Sequence, residues 1–333
     1  MISFLHNEKG EINMTAKQTF RRVGWSLLTA VGSLTVISIV LGAALAVIKP
    51  DYMESPWTAW LTSFLPVYLA ALPLGYAVLA AVPGEKQNQM RLGAKNFFVF
   101  LLICFPIMYG GNLLGTLLSM LLSGGAAKNP LENFAFDSNP LKLLVTVLAA
   151  PAFEELFFRK VLIDRTVRYG EKTAILVSAV AFALFHGNFF QLFYAFGLGL
   201  VFAYVYVRTR RIRYSMLLHM IVNFMGMVVG PFFVSKLDMD LLEQMQSGAM
   251  DEQAMLAALP SLSGFVLYAL VLFGVSVAGL ILLILRAGKL VFHTAEEELP
   301  KEERFKTVWV NVGMILFVVV SIGLCVASLI AAK

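Results

Sequence analysis

The chain has 333 residues, of which 59% are hydrophobic and only 14% charged, with a mean hydropathy of +0.78. Soluble domains carry about 25% charged residues, so a water-soluble fold is excluded and a polytopic membrane protein is expected. A formal net charge of +5 and a pI near 9.1 would suit a nucleic-acid binder, but the basic residues follow a membrane pattern.

The first 23 residues are polar and lack a small-residue cleavage pattern, so they are expected as a cytoplasmic segment with no removable signal peptide. A bilayer core about 30 Å thick needs about 20 apolar residues per helix. Nine segments qualify, at 24–48, 57–82, 97–122, 141–158, 173–188, 189–207, 216–234, 262–285 and 308–330. The N-terminal segment and the connections after the second, fourth, sixth and eighth spans hold 21 of the 26 Lys and Arg residues. Basic residues favour the cytoplasmic side. The alternation places the N-terminus in the cytoplasm and the C-terminus outside, in a cell membrane, and accounts for the basic pI without nucleic acid.

The predicted fold is therefore all-α, a transmembrane helix bundle of about eight or nine spans. Transmembrane helices occupy 24–140, a central core lies at 141–235, and further spans with an acidic outer loop fill 236–333. Residues 235–261 have a helical apolar period and are expected as an amphipathic outer helix, while 286–307, with "EEELPKEER", reads as a solvated cytoplasmic charge run. "GNLLG" (Gly111, Gly115) and "GMVVG" (Gly226, Gly230) have the spacing that permits close helix approach. Cys104 and Cys325 lie in apolar runs and read as small core hydrophobes, with no disulfide framework. After the fourth span, "RKVLIDRTVRYGEK" keeps a helical pattern, so that helix is expected to run on and break at Gly170.

The acids are the sharpest signal. Of 21 Asp and Glu residues, only Glu154 and Glu155 fall within a span. An acid at a span centre costs about 2.5–3.5 kcal/mol on insertion scales, so such residues face the protein interior and have a task. Arg159 stands four residues after Glu155, the helical spacing of an ion pair. Glu154 points about 100° away round the helix and lacks that partner. His186 lies in "AFALFHGNFF", four residues after Phe182, and His219 lies four residues before Asn223, on the same helix face.

A carboxylate deprived of water is a stronger base than one in solution, and a nearby histidine can help it orient and deprotonate a water molecule. A second histidine and an amide can donate hydrogen bonds to a developing oxyanion. Together these groups suit amide hydrolysis. Glu154, His186 and His219 could alternatively hold a zinc ion, although no HExxH helix or cysteine cluster accompanies them.

EExxxR (Glu154, Glu155, Arg159), FxxxH (Phe182, His186) and HxxxN (His219, Asn223), in this order on successive helices, resemble the three motifs of the CPBP family. That family comprises CAAX prenyl endopeptidases and bacteriocin-processing or immunity proteins, also called Abi. The resemblance spans about 141–235, and implies that Glu154 is the base activating water and that His186 assists it. His219 and Asn223 would form the oxyanion hole, and Glu155 and Arg159 would brace the site. It implies no required cofactor in the glutamate reading, zinc in the metalloprotease reading, and a membrane-associated protein or peptide substrate, lipid-modified in the eukaryotic members. The resulting expectation is an intramembrane endopeptidase with a cavity open to the cytoplasm. The competing readings are a proton-coupled transporter and a non-catalytic bacteriocin-immunity scaffold.

Conventional spans would separate His186 from Glu154. Residues 154 and 186 are each sixteen from Gly170, about 24 Å at helical rise, and lie level only if the fourth and fifth helices form an extended hairpin. The path of residues 187–207 is left open by this reasoning.

Overall fold

The computed structural model describes residues 5–6, 12–51, 55–85, 88–237 and 252–331. Apart from one two-residue ladder, Leu5–His6 against Ile12–Asn13, the described elements are helical. Helix α1 spans Ala16–Ile48, eight residues earlier than the polar N-terminus suggested. Thr15 caps it, since the Thr15 hydroxyl accepts from the Gln18 amide while the Gln18 side chain accepts from Thr15 N–H. The reciprocal cap satisfies two orphan donors, so Lys17, Arg21 and Arg22 are helical rather than part of a loose tail.

Helix α2 runs from Pro56–Pro66 through a π-helical turn, Val67–Ala71, into Leu72–Leu79, and α3 spans Ala94–Ser123. A short α4, Glu132–Ala135, precedes α5, which runs through Leu143–Ala149, Ala150–Glu154, Glu155–Val161, Leu162–Thr166 and Val167–Tyr169. Helix α6 spans Glu171–Phe185 and α7 Phe189–Thr209. Helix α8 comprises Ile212–Phe224, Met225–Val229 and Gly230–Val234. It is followed by α9, Glu252–Ala287, α10, Lys301–Trp309, and α11, Val312–Ala331.

Three of the π-helical turns end two residues before a proline, at Pro73, Pro151 and Pro231. Proline lacks an N–H and its ring crowds the preceding turn, and widening that turn relieves the clash. The fourth π-helical stretch, Glu155–Val161, contains no proline. It starts on the second acid of the EExxxR motif.

Seven helices, α1, α2, α3, α7, α8, α9 and α11, are long and apolar enough to cross a membrane. The remaining two expected spans, 141–158 and 173–188, belong to the α5–α6 hairpin. Helix α6 has only 15 residues, and nearly all its side chains are buried, whereas α5 exposes Leu143, Leu144, Leu148, Phe153 and Leu156 on its outer face. The hairpin turns at Gly170, whose φ of +118° lies in a region open mainly to glycine. This is the extended hairpin that the residue spacing required. Its turn end is clamped to α7 by Asp164, which accepts from the Tyr206 hydroxyl at 2.7 Å, from Lys160 Nζ at 2.7 Å and from Arg210 Nη1 at 3.5 Å.

The charge run at 286–307 is docked rather than free. Glu297 and Glu298 pair with Arg168 and Arg304, and the Leu299 amide donates to the Tyr169 carbonyl at 3.2 Å. Within the predicted amphipathic outer helix at 235–261, residues 238–251 lie outside the described residues, and those from Glu252 onward continue directly into α9.

Candidate functional site

The site forms where α5, α6 and α8 meet, about 24 Å from the Gly170 turn. Glu155 and Arg159 are wholly buried, with Arg159 Nη2 3.2 Å from Glu155 Oε1. Arg159 Nη1 donates to Ser178 Oγ at 3.4 Å, and that hydroxyl donates to the Phe158 carbonyl at 2.7 Å. The guanidinium lies 4.5 Å from the centre of the Phe182 ring. This cation–π contact is favoured where water is excluded.

His219 stands between the two acids. Its Nδ1 is 3.1 Å from Glu155 Oε1 and its Nε2 is 3.7 Å from Glu154 Oε2. A carboxylate only accepts, so an imidazolium satisfies both sides while a neutral ring satisfies one. Phe202 stacks on the imidazole at 5.1 Å and the Phe182 edge meets it at 5.5 Å. Phe182 therefore fixes Arg159, His186 and His219 together, a wider role than its place beside His186 suggested.

His186 closes α6. Its Nδ1 lies 2.7 Å from the Phe182 carbonyl, which can only accept, so Nδ1 carries the proton and Nε2 keeps a lone pair. Asn188 braces the turn, donating to the His186 carbonyl at 2.9 Å and capping α7 through the Gln191 amide at 3.0 Å. Asn223 Nδ2 donates to the Thr146 carbonyl at 2.8 Å. The widened turn sends the Ala150 N–H to Val145, and the next residue, Pro151, has none. Thr146 thus lacks a backbone donor, and Asn223 fills the gap with one of its two N–H groups.

Glu154, His186, His219 and Asn223 all line one cavity of about 670 Å³. They are not equally close. Glu154 meets His219, whereas no hydrogen bond or ion pair joins it to His186 among the described residues. The zinc alternative needs Glu154, His186 and His219 as one ligand set. Among the described residues no group of three His, Cys, Asp or Glu side chains that could hold a metal ion is found.

The position of the cavity bears on the expected cytoplasmic opening. Its α5 residues all precede Glu155 and its α8 residues all lie between His219 and Val234, and residues 129–132 and 134–136 line it too. It therefore extends away from the basic Gly170 hairpin. Two expectations, basic connections in the cytoplasm and a cavity facing the cytoplasm, do not hold together, because a helix pattern read residue by residue carries no information on which end of a bundle is hollow.

Ser178, Asn188, Thr146 and Phe202 escaped the sequence reading. Asn188 had a signal, since His-Gly-Asn before an apolar run is a helix stop followed by a cap. Thr146 and Phe202 lie in ordinary apolar runs, and nothing local marks them.

Fold and site together define a polytopic helical membrane protein with a buried carboxylate–histidine centre facing an internal cavity. Residues 136–225 match the family described as type II CAAX prenyl endopeptidase Rce1-like, so this part of the chain is similar to that family. A relative from Bacillus subtilis (strain 168), described as "Putative membrane peptidase YdiL", is 33% identical over 88 residues, covering 25% of this chain and 35% of the relative. The chain thus matches about a third of that relative's length. No solved structure matches it significantly.

Proposed function

We propose that the chain is an intramembrane endopeptidase that hydrolyses a peptide bond of a membrane-associated protein or peptide, lipid-modified or not. Glu154 takes a proton from water as the oxygen attacks the scissile carbonyl carbon. His219 Nε2–H and the free Asn223 N–H donate to the resulting oxyanion, and the His186 Nε2 lone pair accepts from the water and orients it. When the C–N bond breaks, Glu154 returns the proton to the leaving amine, so the products are a carboxylic acid and an amine.

The observation that carries this reading is the unequal treatment of two adjacent acids. Glu155 is engaged by Arg159 and His219 at 3.1–3.2 Å, whereas Glu154 faces the cavity and its one ion-pair partner among the described residues is His219, at 3.7 Å. A general base contributes about 10²–10⁴-fold. Glu154→Gln in membranes containing a cleavable candidate substrate is expected to lower the rate by that factor, and undiminished cleavage rejects Glu154 as the base.

A further inference from the structure

The basic end of the bundle carries a turn that plays no part in the chemistry at Glu154. Between α7 and α8 the chain reads "RTRRIRY", residues 208–214. Arg210 caps α7 in the left-handed conformation, at φ 53°. Glycine or asparagine fills such a cap at less cost, so the reason for an arginine lies in its side chain. That side chain is buried, in a residue only 6% exposed. Its Nη1 reaches Asp164 Oδ1 at 3.5 Å, while its Nε and Nη2 are buried with no hydrogen-bond partner among the described residues. The buried Nε of Arg211 has none either.

The acids whose charge acts on Arg210 are Asp164, Glu171 and Glu85, and each is already engaged. Asp164 accepts from Tyr206 and Lys160, Glu171 pairs with Arg208, and Glu85 pairs with Arg168. No Asp or Glu occurs between residues 86 and 131, or between 172 and 237. Buried guanidinium donors left idle are costly, and a bound anion would remove that cost.

The adjoining backbone has the same need. The Met90 N–H donates to the Thr209 carbonyl at 2.9 Å. Leu92, Phe97 and Tyr214 pack against one apolar cluster that includes Leu218, which sets the start of α3 beside the start of α8. The residues preceding them, Gly93 and Arg211, make no side-chain cap, and neither first turn holds an acid. Lys95 and Arg213 stand exposed in those turns, and Arg91 is exposed just before α3. Cations at a helix N-terminus oppose its dipole. The arrangement becomes favourable once a phosphate sits there, accepting from both backbone and guanidinium donors.

We propose that the α7–α8 turn and the start of α3 hold a phosphate group, supplied by the headgroup of an acidic membrane lipid. Arg210, Arg211 and Arg213 are its cationic donors. A lipid is the source because α3, α7 and α8 are all long and apolar enough to cross the membrane, which puts their shared end at the headgroup level.

Full-length protein in neutral detergent micelles is titrated with dioleoylphosphatidylglycerol, dioleoylphosphatidylcholine or inorganic phosphate, and bound ligand is counted by native mass spectrometry. Phosphatidylglycerol is expected to bind, and the other two to bind far more weakly. Arg211→Gln with Arg213→Gln is expected to weaken its binding by about fivefold for each arginine removed. Lys17→Gln with Arg21→Gln removes the same charge from the exposed start of α1 and is expected to leave binding unchanged. Undiminished binding in Arg211→Gln with Arg213→Gln, or in Arg210→Gln, overturns the site. An equal loss in the α1 control overturns it in favour of diffuse attraction. Phosphatidylcholine bound as tightly overturns the charge requirement, and inorganic phosphate bound as tightly overturns the lipid source in favour of a soluble anion. If the paired arginine variant does not accumulate, Arg213→Gln alone, at an exposed position, gives the same reading.

Discussion

His219 Nδ1 lies 3.1 Å from Glu155 Oε1, and the same carboxylate oxygen lies 3.2 Å from Arg159. Glu155 therefore does two things, neutralising a buried guanidinium and holding the His219 ring so that Nε2 faces Glu154. Glu155→Gln keeps the shape but leaves Arg159 without a counter-charge, at a cost of about 3–5 kcal/mol. Adding Arg159→Met removes the orphaned charge and is expected to recover most of that stability. Activity is not expected to return, because the amide no longer accepts as strongly from His219. Denaturation in detergent micelles and substrate cleavage, measured on both variants, separate the two roles. Recovery of both together would show that Glu155 serves stability alone.

Asn223 joins the site to the widened turn of α5 through the Thr146 carbonyl. Asn223→Ala leaves that carbonyl unpaired, a loss of about 1–2 kcal/mol, and removes an oxyanion donor. Pro151→Ala in the same chain supplies the backbone N–H that proline lacks. The double variant is expected to regain stability and stay inactive. If cleavage returns with stability, the amide is a brace for the helix and takes no part in the chemistry.

Much of this architecture was legible in the residues. The extended hairpin followed from counting sixteen residues either side of Gly170, and the pairing of Glu155 with Arg159 from a four-residue spacing. Glu154 was isolated by the rarity of acids in the spans. What stayed hidden depends on which helices become neighbours. The Glu154 carboxylate meets His219 rather than His186 because α8 crosses α5 at the acids, and no periodicity within α8 encodes that crossing. The Thr146 contact arises from a π-helical turn upstream of Pro151. The proline was visible, but the carbonyl it frees was not.

The zinc alternative has a direct test. The endopeptidase reading uses Glu154, His219 and Asn223 without an ion, and the described residues contain no three-ligand group. Purified protein treated with a strong chelator is expected to cleave at an undiminished rate. Loss of activity that zinc restores would assign the histidines to metal binding and remove Glu154 as the sole activator of water.

Gly115 and Gly226, one from each glycine pair, make opposite predictions. A Cβ at Gly115 would lie 2.5 Å from the Phe189 and Phe190 carbonyl oxygens, and one at Gly111 would lie 2.6 Å from the Tyr194 backbone. These atoms belong to the first turns of α7, directly after the His186 turn, so α3 and α7 touch backbone to backbone where His186 is held. At Gly226, by contrast, a Cβ meets nothing within 4 Å. Gly115→Ala must push α7 outward, at about 1–3 kcal/mol, and carry His186 with it. Gly226→Ala is expected within about 0.5 kcal/mol of the parent. Thermal denaturation in micelles checks the stabilities. The cleavage rate then checks whether displacement of α7 reaches the site, and a Gly115→Ala enzyme that is destabilised yet fully active would uncouple His186 from the chemistry.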